Sequence, residues 1–339
     1  MPIRINQKWI LLGLASSLYF LACRQGETVL PSEEVWYARE IPYFPPKNIP
    51  SDNQLTPERI ALGKALFFDP ILSRDSSLSC ASCHKQEFAF ADNKTKTPGI
   101  ANRPGTRNVP VLFNLVYQDR FLREGSLPTL EMQVLVPIQE HNEFDFNIVD
   151  IADKLKLIPF YDSLAKLAYN REPDPFVITR SISAFERTLI SADSKYDQVR
   201  LGKTKFNQTE ELGYSLFKTF CASCHTEPLF TNHQNANNGL YVHYNDPGRY
   251  RFTKIPKDSG SFKIPSLRNI AFTAPYMHNG SLKDLDAVIL HYNMGGQHGP
   301  NQDGRVQALN LNPTQKAALK AFLLTLSDYS FLNDPNFKP

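Results

Sequence analysis

The sequence predicts a mainly α-helical protein made of two similar modules with extensive irregular loops. Three observations predict it. Apolar residues recur at helical spacing in several separate segments. No run alternates apolar and polar residues as half-buried strands do. The pentapeptide Cys-Ala-Ser-Cys-His occurs twice, at 80–84 and 221–225, each time after a helical pattern and before a loop rich in Pro, Gly and Asn. A theme repeated once at so long a spacing is a duplicated module and not a short-period array.

Residues 1–22 read as an export signal. Arg4 and Lys8 make a basic start, Trp9 to Phe20 an apolar run too short for a membrane span, and Leu21-Ala22-Cys23 resembles a bacterial lipobox with Cys23 as the lipidated residue. Residues 23–49, with the Pro-rich Ile41-Pro42-Tyr43-Phe44-Pro45-Pro46, read as a tether. The first module is expected over 50–202. Its opening helix starts at Thr56-Pro57, an N-cap followed by a first-turn Pro, and puts Ile60, Gly63 and Phe67 on one face. Two further helical patterns follow. One runs over 147–158 with Ile151, Leu155 and Ile158; the other starts at Asp174-Pro175 with Ile178, Ile182, Phe185 and Leu189.

The second module is expected over 203–335. Leu212, Leu216 and Phe220 form an apolar stripe before its cysteines, and a long polar loop covers 226–262. Ser281 to Asp284 gives a capping-box start for a helix with Leu285, Val288, Ile289 and Tyr292 on one face. A last helix starts at Asn312-Pro313 and buries Leu319, Phe322, Leu323 and Leu326.

Composition narrows the function classes. With 42% hydrophobic and 21% charged residues the chain can bury a core. Its net charge of +3 falls to +1 once Arg4 and Lys8 leave with the signal, which excludes a nucleic-acid partner and leaves a lipid anchor as the only contact with a membrane. Of five cysteines, Cys23 belongs to the signal. The other four form two Cys-x-x-Cys-His motifs, the attachment signature of c-type haem. Two thiols reach the two vinyl groups of one porphyrin, and the next residue turns its imidazole under the iron. Cys80 and Cys83 would attach one haem with His84 as proximal ligand, and Cys221 and Cys224 a second with His225. Two disulfides or a zinc site are the alternatives, and neither explains two identical motifs in an exported chain.

The segments Leu62-Gly63-Lys64-Ala65-Leu66-Phe67-Phe68-Asp69-Pro70, Arg107-Asn108-Val109-Pro110, Phe262 to Asn269 and Thr273 to Gly280 resemble the bacterial di-haem cytochrome c peroxidase and MauG superfamily. The resemblance runs from about residue 55 to about 328. It implies two cytochrome c-like haem domains, with a peroxidatic haem in the N-terminal one and electron entry at the C-terminal one. It places the distal acid–base group at Glu143 and its neighbour at Gln133, with Glu140 as a rival for Glu143. Many members block the first iron with a His seven residues before the Arg-Asn pair. That position is Ile100 here, and 98–106 holds no His, Met or Tyr, so an iron open without reductive activation is expected.

At the second iron the resemblance places Tyr292, as in MauG, where peroxidases carry Met; His291 and Met294 are rivals. A Tyr oxygen favours the ferric state and lowers the potential relative to Met. The superfamily's inter-haem Trp is replaced by Arg123, which removes that electron relay. Its inter-domain calcium would be held by the Asn108 side chain and the carbonyls of Thr273 and Pro275. The expected activity is reduction of hydrogen peroxide with electrons from a small cytochrome c or cupredoxin in the periplasm or cell envelope. MauG-like oxidation of residues on a partner protein and a non-enzymatic electron carrier are the alternatives; a homodimer is left open.

Overall fold

Helix α1 (Pro57–Phe68) begins where the Thr56 side chain accepts from the Arg59 N–H, with Pro57 in the first turn, as expected. The computed structural model describes residues 37–339, and Ile41–Pro339 forms one compact unit. The expected signal, Cys23 and the first part of the tether lie outside the described residues. After α1 come α2 (Cys80–Cys83), α3 (Leu130–Gln139), α4 (Ile148–Lys156), α5 (Pro159–Tyr169), α6 (Pro175–Thr188), α7 (Lys195–Arg200) and α8 (Gln208–Phe220). A two-residue antiparallel pair, β1 (Asn235–Ala236) with β2 (Phe262–Lys263), flanks α9 (Tyr250–Thr253). The chain ends with α10 (Leu285–Asn293), α11 (Pro313–Leu324) and α12 (Tyr329–Asn333). No helix among the described residues is long and apolar enough to cross a membrane.

Two cores correspond to the two repeats. Leu62 and Leu66 of α1 pack with Val134, Ile151, Ile178 and Ile182 of α3, α4 and α6. Phe217 of α8 packs with Ile289 of α10 and with Leu319 and Phe322 of α11. Each core is closed by a glycine at which one helix backbone meets another. A Cβ on Gly63 would lie 1.8 Å from the Ser181 carbonyl oxygen, and one on Gly213 would lie 2.0 Å from that of Ala318. The duplication is therefore structural as well as sequential: α1 crosses α6 as α8 crosses α11.

The repeats are locked together by buried polar groups. Ser191 Oγ donates to Asp328 at 2.8 Å and accepts from Asn269 Nδ2 at 2.9 Å, while Asn114 Nδ2 donates to the Ser191 carbonyl at 3.0 Å. Asn114 and Asn269 occupy matching places in the repeats, both left-handed, with φ of 58° and 56°. Phe331 of α12 reaches back to Phe90 and Phe113 in the first repeat, with centroids 5.6 and 6.1 Å apart.

Several expectations are corrected. The stripe Leu212, Leu216 and Phe220 is not the buried face of α8: Leu212 and Phe220 are 41% and 40% exposed, whereas Gly213 and Phe217 are buried. The need for close approach at Gly213 turns the helix by one position. Ser281 does not cap α10. Leu282 pairs with Tyr276, which holds this stretch extended, and Asp284 caps instead by accepting from Ala287 N–H at 2.8 Å. The tether does not extend to residue 49. Ile41 is buried, Tyr43 donates to Asp197 at 2.8 Å, and the Phe44 ring lies 4.7 Å from the Arg268 guanidinium carbon. Helices α2, α3, α5, α7 and α12 are additional to those expected, and the loop 226–262 contains β1, α9 and the first residue of β2.

Gly63→Ala tests the crossing. At an exposed helix position this change gains about 1 kcal/mol. Here the new methyl meets a backbone oxygen, and overpacking costs about 1–3 kcal/mol. A melting temperature several degrees below wild type is expected by differential scanning calorimetry; an increase would show that α1 and α6 do not meet at Gly63.

Candidate haem-binding active site

The second Cys-x-x-Cys-His motif follows directly on α8, and the first begins on the short helix α2, which packs against α1. The Sγ atoms of Cys80, Cys83, Cys221 and Cys224 are free, with no disulfide in either pair. Burial raises the Cys80 thiol strongly, Cys83 to about 11 and Cys221 to about 12. All four thiols are reduced and unpaired, as thioether formation with a vinyl group requires.

The histidines are oriented by the same device. His84 Nδ1 lies 2.9 Å from the Phe90 carbonyl oxygen, and His225 Nδ1 lies 3.1 Å from that of Phe230 and 3.2 Å from that of Pro265. A carbonyl only accepts, so each Nδ1 carries the proton and each Nε2 is left with a lone pair. Burial lowers both imidazoles to about 4, which keeps them neutral. Phe90 and Phe230 are both left-handed, with φ of 56°, an unusual conformation for a bulky residue that aims the carbonyl back at the ring. Two thiols and one oriented, neutral imidazole fit a c-type haem at each site.

Around the first motif the chain brings Glu143 within electrostatic reach of Cys83. Glu143 is exposed as a residue, yet the protein packed around its carboxyl and the nearby Glu140 carboxylate push that group up to about 7. Its backbone is held at both ends: Ile100 N–H donates to the Glu143 carbonyl at 3.0 Å, and Glu143 N–H donates to that of Glu140 at 2.9 Å. Ile100 is buried. Asp145, bound by Arg74 at 3.2 Å and Arg103 at 2.7 Å, anchors the same turn. Gln133, on α3, holds its Oε1 buried without a hydrogen-bond partner. His141 is exposed and turned to Arg103 and Asp145.

Around the second motif Tyr292 projects from α10 within electrostatic reach of Cys221 and Cys224. Burial pushes its hydroxyl up to about 12, and Asn238 Nδ2 donates to it at 3.5 Å. The rivals are occupied elsewhere. His291 Nε2 lies 3.0 Å from the Asn238 carbonyl, and Met294 is 59% exposed at the end of α10. Sequence reading missed Met277, whose Sδ accepts from the same Asn238 amide at 3.1 Å.

Of the expected calcium ligands, Asn108 is already committed to another cation. Asn108 Oδ1 and its carbonyl oxygen both accept from Arg123 Nη2, at 2.7 and 2.8 Å. No group of three or more His, Cys, Asp or Glu side chains that could hold a metal ion exists among the described residues. Thr273 and Pro275 lie beyond the left-handed Asn269 turn, in the segment that leads to His278, whose carbonyl accepts from Asn108 N–H at 2.9 Å.

Two helical repeats, each presenting thiols and an oriented imidazole, define a c-type cytochrome with a pair of haem modules. The chain belongs to the di-haem cytochrome c peroxidase and MauG superfamily, and it is an oxidoreductase of that type. The family model for di-haem cytochrome c peroxidase matches residues 57–205, and that for cytochrome c matches 210–327. The methylamine utilization protein MauG of Methylorubrum extorquens is 32% identical over 96% of this chain and 95% of its own. The cytochrome c551 peroxidase of Nitrosomonas europaea is 32% identical over 84% of each. A crystal structure of a MauG-like protein associated with microbial copper homeostasis superposes with a TM-score of 0.83 at 31% identity, covering 88% of this chain and 97% of that one. The two families imply two c-type haems.

Glu186 of α6 was also missed, because its place between Phe185 and Leu189 reads as plain core. It is 3% exposed, its Oε2 has no partner, and its charge reaches Cys80. Burial pushes its carboxyl from 4.5 to about 8, with Arg187 opposing and Glu131 adding. The folded protein thus keeps a proton that the unfolded chain releases. This contribution to stability is fully present below about 4.5 and is lost as pH rises toward 8. Glu186→Gln should remove that slope. Urea midpoints measured from pH 5 to 8 should fall less steeply for the variant, and identical slopes would mean that Glu186 ionises freely in the fold.

Proposed function

We propose that this protein reduces hydrogen peroxide to two waters at the first module, 50–202, with two electrons and two protons. The observation that carries the reading is Glu143, a carboxyl pushed up to about 7 beside the Cys83 attachment point, with Ile100 where a blocking ligand would stand. A haem held by Cys80, Cys83 and His84 would supply the electrons that cleave the O–O bond. Glu143 would take the proton from one peroxide oxygen and return it to the leaving oxygen, a transfer efficient for a group whose pKa lies near working pH. The unpartnered Gln133 Oε1 would accept a hydrogen bond from the second peroxide hydrogen. Electrons would enter through the second module, 203–335, at a haem held by Cys221, Cys224 and His225 with Tyr292 as sixth ligand, from a small cytochrome c or cupredoxin. Residues 1–22 would direct export, and Cys23 would carry a lipid anchor in the cell envelope.

A second reading is favoured by Tyr292. An anionic oxygen donor lowers the potential of the second haem. Electrons would then be drawn from side chains of a partner protein, as a MauG-like enzyme does, with peroxide still the oxidant. The absence of Trp at Arg123 weighs against sharing an oxidising equivalent between the haems through that route. An electron carrier without catalysis leaves the raised Glu143 without a role.

Pyridine haemochrome analysis should give two covalent haems per chain. Glu143→Gln preserves shape and removes the proton acceptor, so peroxide turnover should fall at least ~100-fold with both haems retained. Unchanged turnover would move the role to Glu140 or to water. Tyr292→Phe should convert the second haem from six- to five-coordinate or to a water ligand and raise its potential. A native spectrum with the far-red band of a Met-sulfur–ferric bond, untouched by this substitution, would remove the second reading.

A further inference from the structure

Arg123 occupies the place that, by resemblance, belongs to an inter-haem tryptophan, yet its contacts are those of a bound cation. One nitrogen, Nη2, has two hydrogens, and both go to Asn108, to the side-chain oxygen at 2.7 Å and the carbonyl at 2.8 Å. The rest of Asn108 is also committed: Nδ2 donates to the Lys94 carbonyl at 3.0 Å and N–H donates to that of His278 at 2.9 Å. Asn108 is 6% exposed, so neither oxygen can turn to a second cation without unpacking.

The surrounding charges leave nothing to neutralise a divalent ion. Arg107 holds both oxygens of Asp246, at 2.6 and 2.8 Å, and also holds Glu124. The Lys263 ammonium lies alongside; burial and the charge of Arg123 push it down to about 8. Calcium needs six to eight oxygens, several of them usually anionic. The carboxylates here are already paired with Arg107.

We propose that the Arg123 guanidinium takes the place of a metal ion at the junction between the two repeats, so that this protein binds no calcium there. The turn bearing Arg123 is built for the purpose. Lys263 N–H donates to the Arg123 carbonyl at 2.6 Å, and Asn235 Nδ2 and Arg249 donate to the Glu124 carbonyl at 2.9 and 3.0 Å. The Arg123 side chain thus ties Asn108 to a turn whose own backbone carbonyls are held by β1 and β2 of the second repeat. The inference stands whether the oxidant is used on a donor protein or on a partner's side chains.

Calorimetric titration of the two-haem protein, freed of calcium by chelation, with CaCl2 up to about 5 mM covers even weak calcium modules. No saturable heat is expected, and the haem spectrum and melting temperature should be the same in EGTA and in CaCl2. Arg123→Gln loses the charge and the paired hydrogen bonds. In EGTA its melting temperature should therefore fall by roughly 2–5 °C. Should that variant fail to accumulate, Arg123→Lys keeps the charge with poorer reach, and a fall of smaller size is expected. Saturable binding of one calcium by the wild type would overturn the proposal. So would a variant that melts with the wild type in EGTA.

Discussion

The contact of backbone with backbone at two glycines governs the structure. At Gly63 and at Gly213 a helix lies so close to its partner that no side chain fits between them. Those crossings fix the axes of α1 and α8; Cys221 follows directly on α8, while Cys80 and Cys83 stand on α2, which packs against α1. The thiols of each module therefore stand at a set distance from the core helix that backs them, α6 in the first and α11 in the second. Packing of large side chains alone would leave each motif free to slide by a fraction of a turn; contact with a carbonyl oxygen does not.

The same economy extends to the histidines. Each is held by a carbonyl that a left-handed Phe turns inward, so tautomer and ring direction are fixed by backbone geometry and not by a carboxylate. What the modules share is thus the thiols and the oriented imidazoles. They differ in what else approaches those thiols: two hydrogen-bonded segments carrying Ile100 and Glu143 in one, helix α10 carrying Tyr292 in the other.

Much of this was legible in the sequence. Motif spacing gave the thiols and imidazoles because haem attachment is a local demand. The caps at Thr56, Asp174 and Asn312 were legible because capping is chemistry within three residues. The buried face of α8 was not, because Leu212, Leu216 and Phe220 satisfy helical periodicity as well as Gly213 and Phe217 do; only the approach of α11 chooses between them. The fate of Asn108 could not be read either. As a residue it is as good a calcium ligand as a hydrogen-bond acceptor, and the choice is made by a guanidinium fifteen positions away. Residues 41–49 look like linker by composition, yet their aromatic rings meet a cation that sequence distance conceals.

That last contact has a mechanical consequence. The Asp197–Arg268 pair is fully enclosed, with bonds of 2.8 and 2.9 Å, and Tyr43 and Phe44 are fastened to its two members. Tension applied along the chain at residue 41 is therefore received by α7, at the end of the first module, and by the Arg268 turn of the second, before it reaches the next helix along the chain. A load from the N-terminal side has to pull Tyr43 and Phe44 off a buried ion pair before it reaches α1, so the segment around the first cysteine pair is shielded from strain at that end of the chain.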